Sequence, residues 1–263
     1  MLAAVLSGDA KMLAELMRQD AGVNVNQQDE DGWTLLHRAC SEDRRSAVIP
    51  LLLAHPDIDV NVKDKNGNTP FYMACLNGST SCVRELLLDS RVKVNESSSD
   101  GETPLFWAAR YGFLDIIKWW IASGREMDLG KPGDVHRTDA IGAAKKAKIY
   151  RIETERKRQT EVVTLLERFK SDAAQTRYMI RVELGLLDGL AAEMFSLVVF
   201  VSDGILQIND TKTATPAATF FKIARRLPLE LQMMLCFRLL GSAKEIIPGK
   251  YSEAAFKELA KKL

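Results

Sequence analysis

The sequence predicts an all-α fold in two parts. A stack of helix-turn-helix repeats with short β-hairpin loops occupies residues 1–170, and a small all-helical domain occupies residues 171–263. Three observations carry this. One phrase occurs three times, as Gly32-Trp33-Thr34-Leu35-Leu36-His37-Arg38-Ala39, Gly67-Asn68-Thr69-Pro70-Phe71-Tyr72-Met73-Ala74 and Gly101-Glu102-Thr103-Pro104-Leu105-Phe106-Trp107-Ala108, starting 35 and 34 residues apart. Each copy is followed by a second apolar stripe that its own short helix cannot bury, so neighbouring units must stack. Beyond residue 170 the phrase is gone, and helical stretches are separated by Gly, Pro and Asn-Asp breaks.

The elements follow in order. Residues 2–18 show two short helical patterns around Gly8, with Leu2, Ala3, Val5 and Leu6 before it and Met12, Leu13, Leu16 and Met17 after it. They read as a first repeat entered at its inner helix. In the three full copies, the glycine before Thr supplies a turn position without a Cβ penalty. Thr caps the helix that follows, and Pro is tolerated in its first turn, although Leu35 replaces Pro in the first copy. The predicted inner helices are Leu36 to Cys40, Phe71 to Cys75 and Leu105 to Ala109, with small residues at Ala39, Ala74, Ala108 and Ala109 for close packing. Outer helices follow at Ser46 to Ala54, Val83 to Leu88 and Leu114 to Ile121; Pro50 either kinks the first of these or starts it.

From Gly124 to Lys170 the pattern degrades. Thr138 to Ala144 reads as a faded inner helix and Glu161 to Phe169 as an outer one, and an insertion between them, Lys145 to Arg158, holds seven basic and two acidic residues. In the tail, helices are expected at Asp172–Glu183, Leu186–Phe200, Ala217–Arg226, Leu229–Leu240 and Ser252–Leu263.

Phrase and period together resemble the ankyrin repeat, with about four to five repeats of which the first and last are divergent. The tail as a whole resembles C-terminal segments of uncharacterised fungal ankyrin-repeat proteins, from which no activity follows. The resemblance implies a non-enzymatic scaffold or adaptor that holds another protein against the hairpin tips and the exposed, concave side of the inner helices. Carried over position by position, it designates Glu30, Asp31, Trp33, Ser41 and Glu42 in the first copy. The second copy gives Lys65, Asn66, Asn68, Leu76 and Asn77, and the third Ser99, Asp100, Glu102, Arg110 and Tyr111. Trp33, Arg110 and Tyr111 are the residue types that dominate interface energetics and are the expected anchors. His37 stands where the family keeps a structural histidine bonded to the adjacent loop.

Composition excludes other classes. With 46% hydrophobic and 27% charged residues the chain is ordinary globular material. Residues 1–100 hold 10 basic and 15 acidic residues and the remainder 26 and 20, an asymmetry too mild to indicate nucleic acid. The basic stretch reads as a solvated helix face. Cys40, Cys75, Cys82 and Cys236 lack paired spacing and are expected as reduced core residues, with no metal or cofactor site. The three N-x-S/T triplets are read as unused. The opening residues do not read as a secretory signal, and the greasy run Gly189 to Ile208 contains Glu193 and Asp203, so a core helix is expected and no membrane span. Phosphate-binding, nucleophile-elbow, zinc-protease and kinase phrases are missing, so no catalytic residue is designated and the expected place of work is the cytoplasm or the nucleus. Trp119 and Trp120 fall where the family has leucines and are expected in the core, plugging this repeat against the degenerate one or the tail. One alternative reading comes from Leu227 to Leu235, which resembles the opening of an F-box and implies a substrate receptor for a cullin-type ubiquitin ligase.

Overall fold

In the computed structural model of this chain, residues 1–19, 22–130, 138–149, 153–202, 224, 226–239, 251, 255 and 259 are described. Two compact units divide the chain, Met1–Arg177 and Tyr178–Leu263.

In the first unit the helices come in pairs. Inner helices are α1 (Leu2–Ser7), α3 (Leu35–Cys40), α5 (Pro70–Asn77), α7 (Pro104–Tyr111) and α9 (Ala140–Ile149). Outer helices are α2 (Ala10–Gln19), α4 (Ile49–Leu53), α6 (Thr80–Leu88), α8 (Leu114–Ser123) and α10 (Glu153–Ser171). Inner helices pack on inner helices, α1 on α3, α3 on α5, α5 on α7 and α7 on α9, while α2, α4, α6, α8 and α10 make the parallel outer row. This is how the repeats bury stripes that no single repeat can cover. Ala39, Ala74, Ala108 and Ala109 are fully buried between neighbours, as their size requires.

Each full repeat starts alike. Thr34, Thr69 and Thr103 accept the backbone N–H of His37, Tyr72 and Phe106 respectively, and Pro70 and Pro104 fill the first turn of α5 and α7. In the first copy a 3-10 segment, Asp43–Val48, leads into α4, so Pro50 sits in the first turn of α4 rather than kinking a longer helix. The insertion lengthens the last helix pair, with α10 beginning at Glu153 inside the basic stretch. The capping oxygen of α9 comes from Asp139, whose carboxylate accepts the Gly142 N–H at 2.7 Å.

The expected β-hairpin loops are tight turns, and no strand occurs among the described residues. Asp29 N–H donates to Trp33 O, Asp64 N–H to Asn68 O and Ser98 N–H to Glu102 O, and one such rung is too little for a strand. Successive turns are tied edge to edge by Lys65 N–H on Asp31 O and Ser99 N–H on Asn66 O. Gly32 (φ 82°) and Gly67 (φ 76°) lie against those ties. A Cβ at Gly32 would come within 2.9 Å of Lys65 N, and one at Gly67 within 2.7 Å of Ser99 N, so glycine is required for conformation and for closeness alike.

Helix α11 (Ala173–Glu183) spans the boundary between the units. In the second unit α12 (Leu187–Ser202) packs on α13 (Leu229–Leu239) around Ala191, Ala192, Phe195, Val198, Ala224 and Cys236. The expected helices Ala217–Arg226 and Ser252–Leu263 lie almost wholly outside the described residues, as do His136 and the middle of the basic stretch. Among the described residues no single helix is long and apolar enough to cross a membrane.

Candidate functional site

The side chain five residues after the hairpin glycine reaches across to the next repeat in the first two copies, and its chemistry changes along the array. In the first copy it is His37, fully buried, whose Nε2–H donates to Asn68 O at 3.0 Å. Its Nδ1 accepts the Thr34 N–H at 3.1 Å, which fixes the tautomer. Burial holds His37 below its ordinary pKa, outweighing the opposing pull of the Asn68 carbonyl, so the ring is neutral. In the second copy the same place is Tyr72. Its hydroxyl accepts Trp107 Nε1–H at 2.6 Å and donates to Glu102 Oε2 at 3.3 Å, while Trp107 Nε1 also lies 2.8 Å from that oxygen. Burial, with the Glu102 charge adding to it, pushes the Tyr72 hydroxyl up to about 12, so it stays a donor. In the third copy it is Phe106, which has no polar tip and sits edge-on to Trp107 at 5.5 Å.

Above this row an aromatic patch covers α7, the inner helix of the third copy. Trp107 and Tyr111, one turn apart on α7, stack at 5.4 Å with 24° between their planes, and the Arg110 guanidinium lies 5.2 Å from the Trp107 ring centre. Tyr111 is 39% exposed and Arg110 is exposed. The end of α7 is held from the next pair, where the buried Gln159 of α10 donates Nε2–H to Arg110 O at 2.7 Å. The rings and the cation are therefore ordered before anything binds, which lowers the entropy cost of association.

A second cluster surrounds Trp33. The Arg38 guanidinium lies over its ring at 4.4 Å, His37 stacks with it at 6.4 Å, and Arg38 also pairs with Asp29 at 2.5 Å. The Asp29 carboxylate accepts the N–H groups of Asp31 and Trp33 and so shapes the turn; burial pulls the other way, but these bonds and Arg38 hold Asp29 below its ordinary pKa.

Of the designated residues, Glu30, Asp31, Lys65, Asn66, Asn77, Asp100 and Arg110 are exposed, and Trp33 is half-buried. Asn68 is a correction. It is buried at 9% exposure, with Nδ2 on Asp64 Oδ2 at 3.1 Å, its N–H on Asp64 Oδ1 at 2.8 Å, and its carbonyl taken by His37, so it builds the turn and offers nothing outward. Glu102 is half-buried and its carboxylate is engaged by Trp107 and Tyr72. Trp119 is also a correction: it is half-buried under the Arg84 guanidinium at 4.2 Å. Trp120 is fully buried as expected, but packs edge-on to Phe71 of the preceding repeat at 5.0 Å. The sequence reading missed Trp107 and Tyr72 as members of the patch. The four-residue spacing of Trp107 and Tyr111 on one short helix was the available clue.

Among the described residues no group of three or more His, Cys, Asp or Glu is placed to hold a metal ion. Burial raises the Cys40, Cys75 and Cys82 thiols, the last to about 12. The Leu227 to Leu235 segment starts α13 after Pro228, with Leu229 and Leu231 exposed and Gln232 buried against Leu227 O at 2.9 Å.

The chain is 27% identical over 252 residues to the SMC5-SMC6 complex localization factor protein 1 of Bos taurus, an alignment covering 88% of this chain and 23% of that protein. The chain thus spans less than a quarter of that relative's length. The family described as ankyrin repeats (3 copies) matches residues 1–97 and 45–130. The helix pairs continue in the same packing through α9 and α10, and this chain belongs to the ankyrin-repeat proteins.

Proposed function

We propose that the chain is a non-enzymatic scaffold that holds a partner protein against the inner helices and hairpin tips, anchored on Arg110, Trp107 and Tyr111. The observation that carries this is the preordered, solvent-facing stack of one cation and two rings on α7. Arg, Trp and Tyr are the side chains that most often supply the large terms of an interface. The relative's name describes localization of a complex, which supports a partner that is a subunit of a multiprotein assembly the scaffold places. The protein works in the cytoplasm or the nucleus, a placement that a fluorescent fusion tests directly. The ligase-receptor reading of Leu227 to Leu235 gains no support from the family match, which ends at residue 130.

The test compares wild type with Arg110→Ala/Tyr111→Ala in affinity capture, using purified SMC5 and SMC6 subunits as defined probes beside native lysate. Each anchor contributes on the order of 1–2 kcal/mol, so the double variant should bind roughly thirtyfold to a thousandfold more weakly at an unchanged melting temperature. Undiminished capture by the folded double variant places the binding surface elsewhere.

A further inference from the structure

The charge of Arg110 is left unmet by the chain itself. Among the arginines of residues 1–130, Arg18, Arg38, Arg44, Arg45 and Arg91 each pair with a carboxylate, and Arg125 donates to the Asp89 and Val92 carbonyls. The Arg110 guanidinium meets rings alone among the described residues, Trp107 at 5.2 Å and Phe106 at 6.0 Å. Glu102 does not neutralise it: that carboxylate is half-buried and accepts from Trp107 Nε1 and the Tyr72 hydroxyl. Arg84 is in the same state as Arg110, lying over Trp119, but on α6 in the outer row.

The place that Arg110 occupies recurs along the array. It stands seven residues after the cap Thr103, as Ser41, Leu76 and Lys146 stand seven after Thr34, Thr69 and Asp139. Because α3, α5, α7 and α9 pack in order, these four positions make one row across the inner helices, and the row turns from neutral to cationic. Leu76, just before Arg110, is half-buried and apolar, and Lys146, just after it, is exposed. Neighbouring helices lie about 8–10 Å apart, which roughly three residues of extended chain span. Single-stranded nucleic acid fits poorly, since it needs open ring faces and a stripe of cations. Here Trp107 is already stacked on Tyr111, and Tyr111 has Phe113 at 5.8 Å.

We propose that the partner segment held at α7 is acidic: it carries a carboxylate that pairs with the Arg110 guanidinium and, beside it, an apolar side chain that lies on Leu76. This rests on the scaffold reading and names the chemistry of what the α7 patch takes. A carboxylate meets the planar guanidinium with two parallel hydrogen bonds, and the Trp107 ring holds that plane from the other side. Lys146 on the next inner helix adds positive potential at the same end of the row.

The experiment follows the Arg110 Nε–H and Trp107 Nε1–H signals by nuclear magnetic resonance in the isotope-labelled full chain. Three capped peptides are added in turn: Leu-Ser-Ser-Asp-Glu-Ser, its neutral isostere Leu-Ser-Ser-Asn-Gln-Ser, and Leu-Ser-Ser-Lys-Lys-Ser. The acidic peptide should move both signals and bind at least tenfold more tightly than either control. Arg110→Glu should abolish that preference, and Arg84→Glu, the same charge change on the outer row, should leave it whole. Should Arg110→Glu lower the melting temperature, Arg110→Gln, which loses only the charge, should abolish the preference in its place. Equal binding of the acidic and neutral peptides overturns the proposal, as does no binding of the acidic peptide at millimolar concentration. Loss of the preference in Arg84→Glu, or tighter binding of a single-stranded oligonucleotide at the same two signals, also overturns it. Capture of SMC5 or SMC6 subunits that is lost in Tyr111→Ala but kept in Arg110→Glu removes the carboxylate and leaves the scaffold reading standing.

Discussion

Replacing His37 by alanine should be among the most damaging changes in the array, and the size of the loss follows from what the ring touches. The ring is fully buried and satisfies two groups at once, accepting the Thr34 N–H and donating to Asn68 O. Thr34 is itself 1% exposed, so water cannot replace the ring. The orphaned Thr34 N–H costs about 1–3 kcal/mol, Asn68 O keeps the Asp64 N–H, and the emptied volume adds roughly 1–2, for a total near 2–5 kcal/mol. That is a large fraction of the ~5–15 kcal/mol that holds a typical domain together. Tyr72→Phe is the control. It removes only a hydroxyl at the equivalent place, and Trp107 Nε1 keeps Glu102 Oε2 at 2.8 Å, so about 1 kcal/mol is expected. Urea unfolding followed by circular dichroism measures both. Acid adds a second readout with a definite sign. His37 is held neutral below its ordinary 6.5, so the unfolded chain takes up the proton first as pH falls. Its contribution is whole above about pH 6.5 and is lost as pH drops from there through the lowered folded value, so wild type should weaken between about pH 7 and 5 more than His37→Ala does. A loss under about 1 kcal/mol for His37→Ala, or one matched by Tyr72→Phe, would refute the reasoning.

Three further outcomes are expected. Trp120→Ala should cost about 3–5 kcal/mol in urea unfolding, since it empties a fully buried site against Phe71 and frees Glu126 O, whereas Trp119→Ala should cost about 1 kcal/mol or less; the reverse order would contradict the placement of the pair. Burial raises all four thiols, Cys82 to about 12 and Cys236 to about 11, so a thiol reagent at neutral pH should label the native chain slowly and the urea-unfolded chain fast, and a rapid native class would be inconsistent. Gln159→Leu removes the bond to Arg110 O together with a buried Oε1 that has no partner, so stability should change by about 1 kcal/mol or less while partner binding at the α7 patch weakens; unchanged affinity would show that the patch does not depend on its neighbour for order.

The repeats were legible in the sequence because each signal is local and physical. A glycine at positive φ, a threonine cap, a proline in the first turn and an alanine between helices each dictate one backbone position within a few residues, and all recur at the period. What escaped depends on partners about a repeat away. Asn68 has the polarity and turn position of a surface residue, and only the Asp64 carboxylate beside it and the His37 ring from the preceding repeat turn it into structure. Trp119 and Trp120 are adjacent and chemically identical, so sequence pattern alone treats them alike, yet the helix aims one at Phe71 and the other beneath Arg84.

The proposed binding patch on α7 escaped for the same reason. Along the row from His37 to Tyr72 to Phe106, the side chain that ties each repeat to the next loses its polar tip step by step. At the third joint Phe106 has no polar atom to reach forward, and Gln159 supplies a tie from α10 to the end of α7. Trp107 is held by Tyr72 and Glu102 behind it, Tyr111 stacks against it, and Arg110 remains in solvent on a fixed backbone. The proposed anchors thus stand on the third copy of the phrase, where Phe106 carries no polar tip and Trp107 and Tyr111 stack on one another.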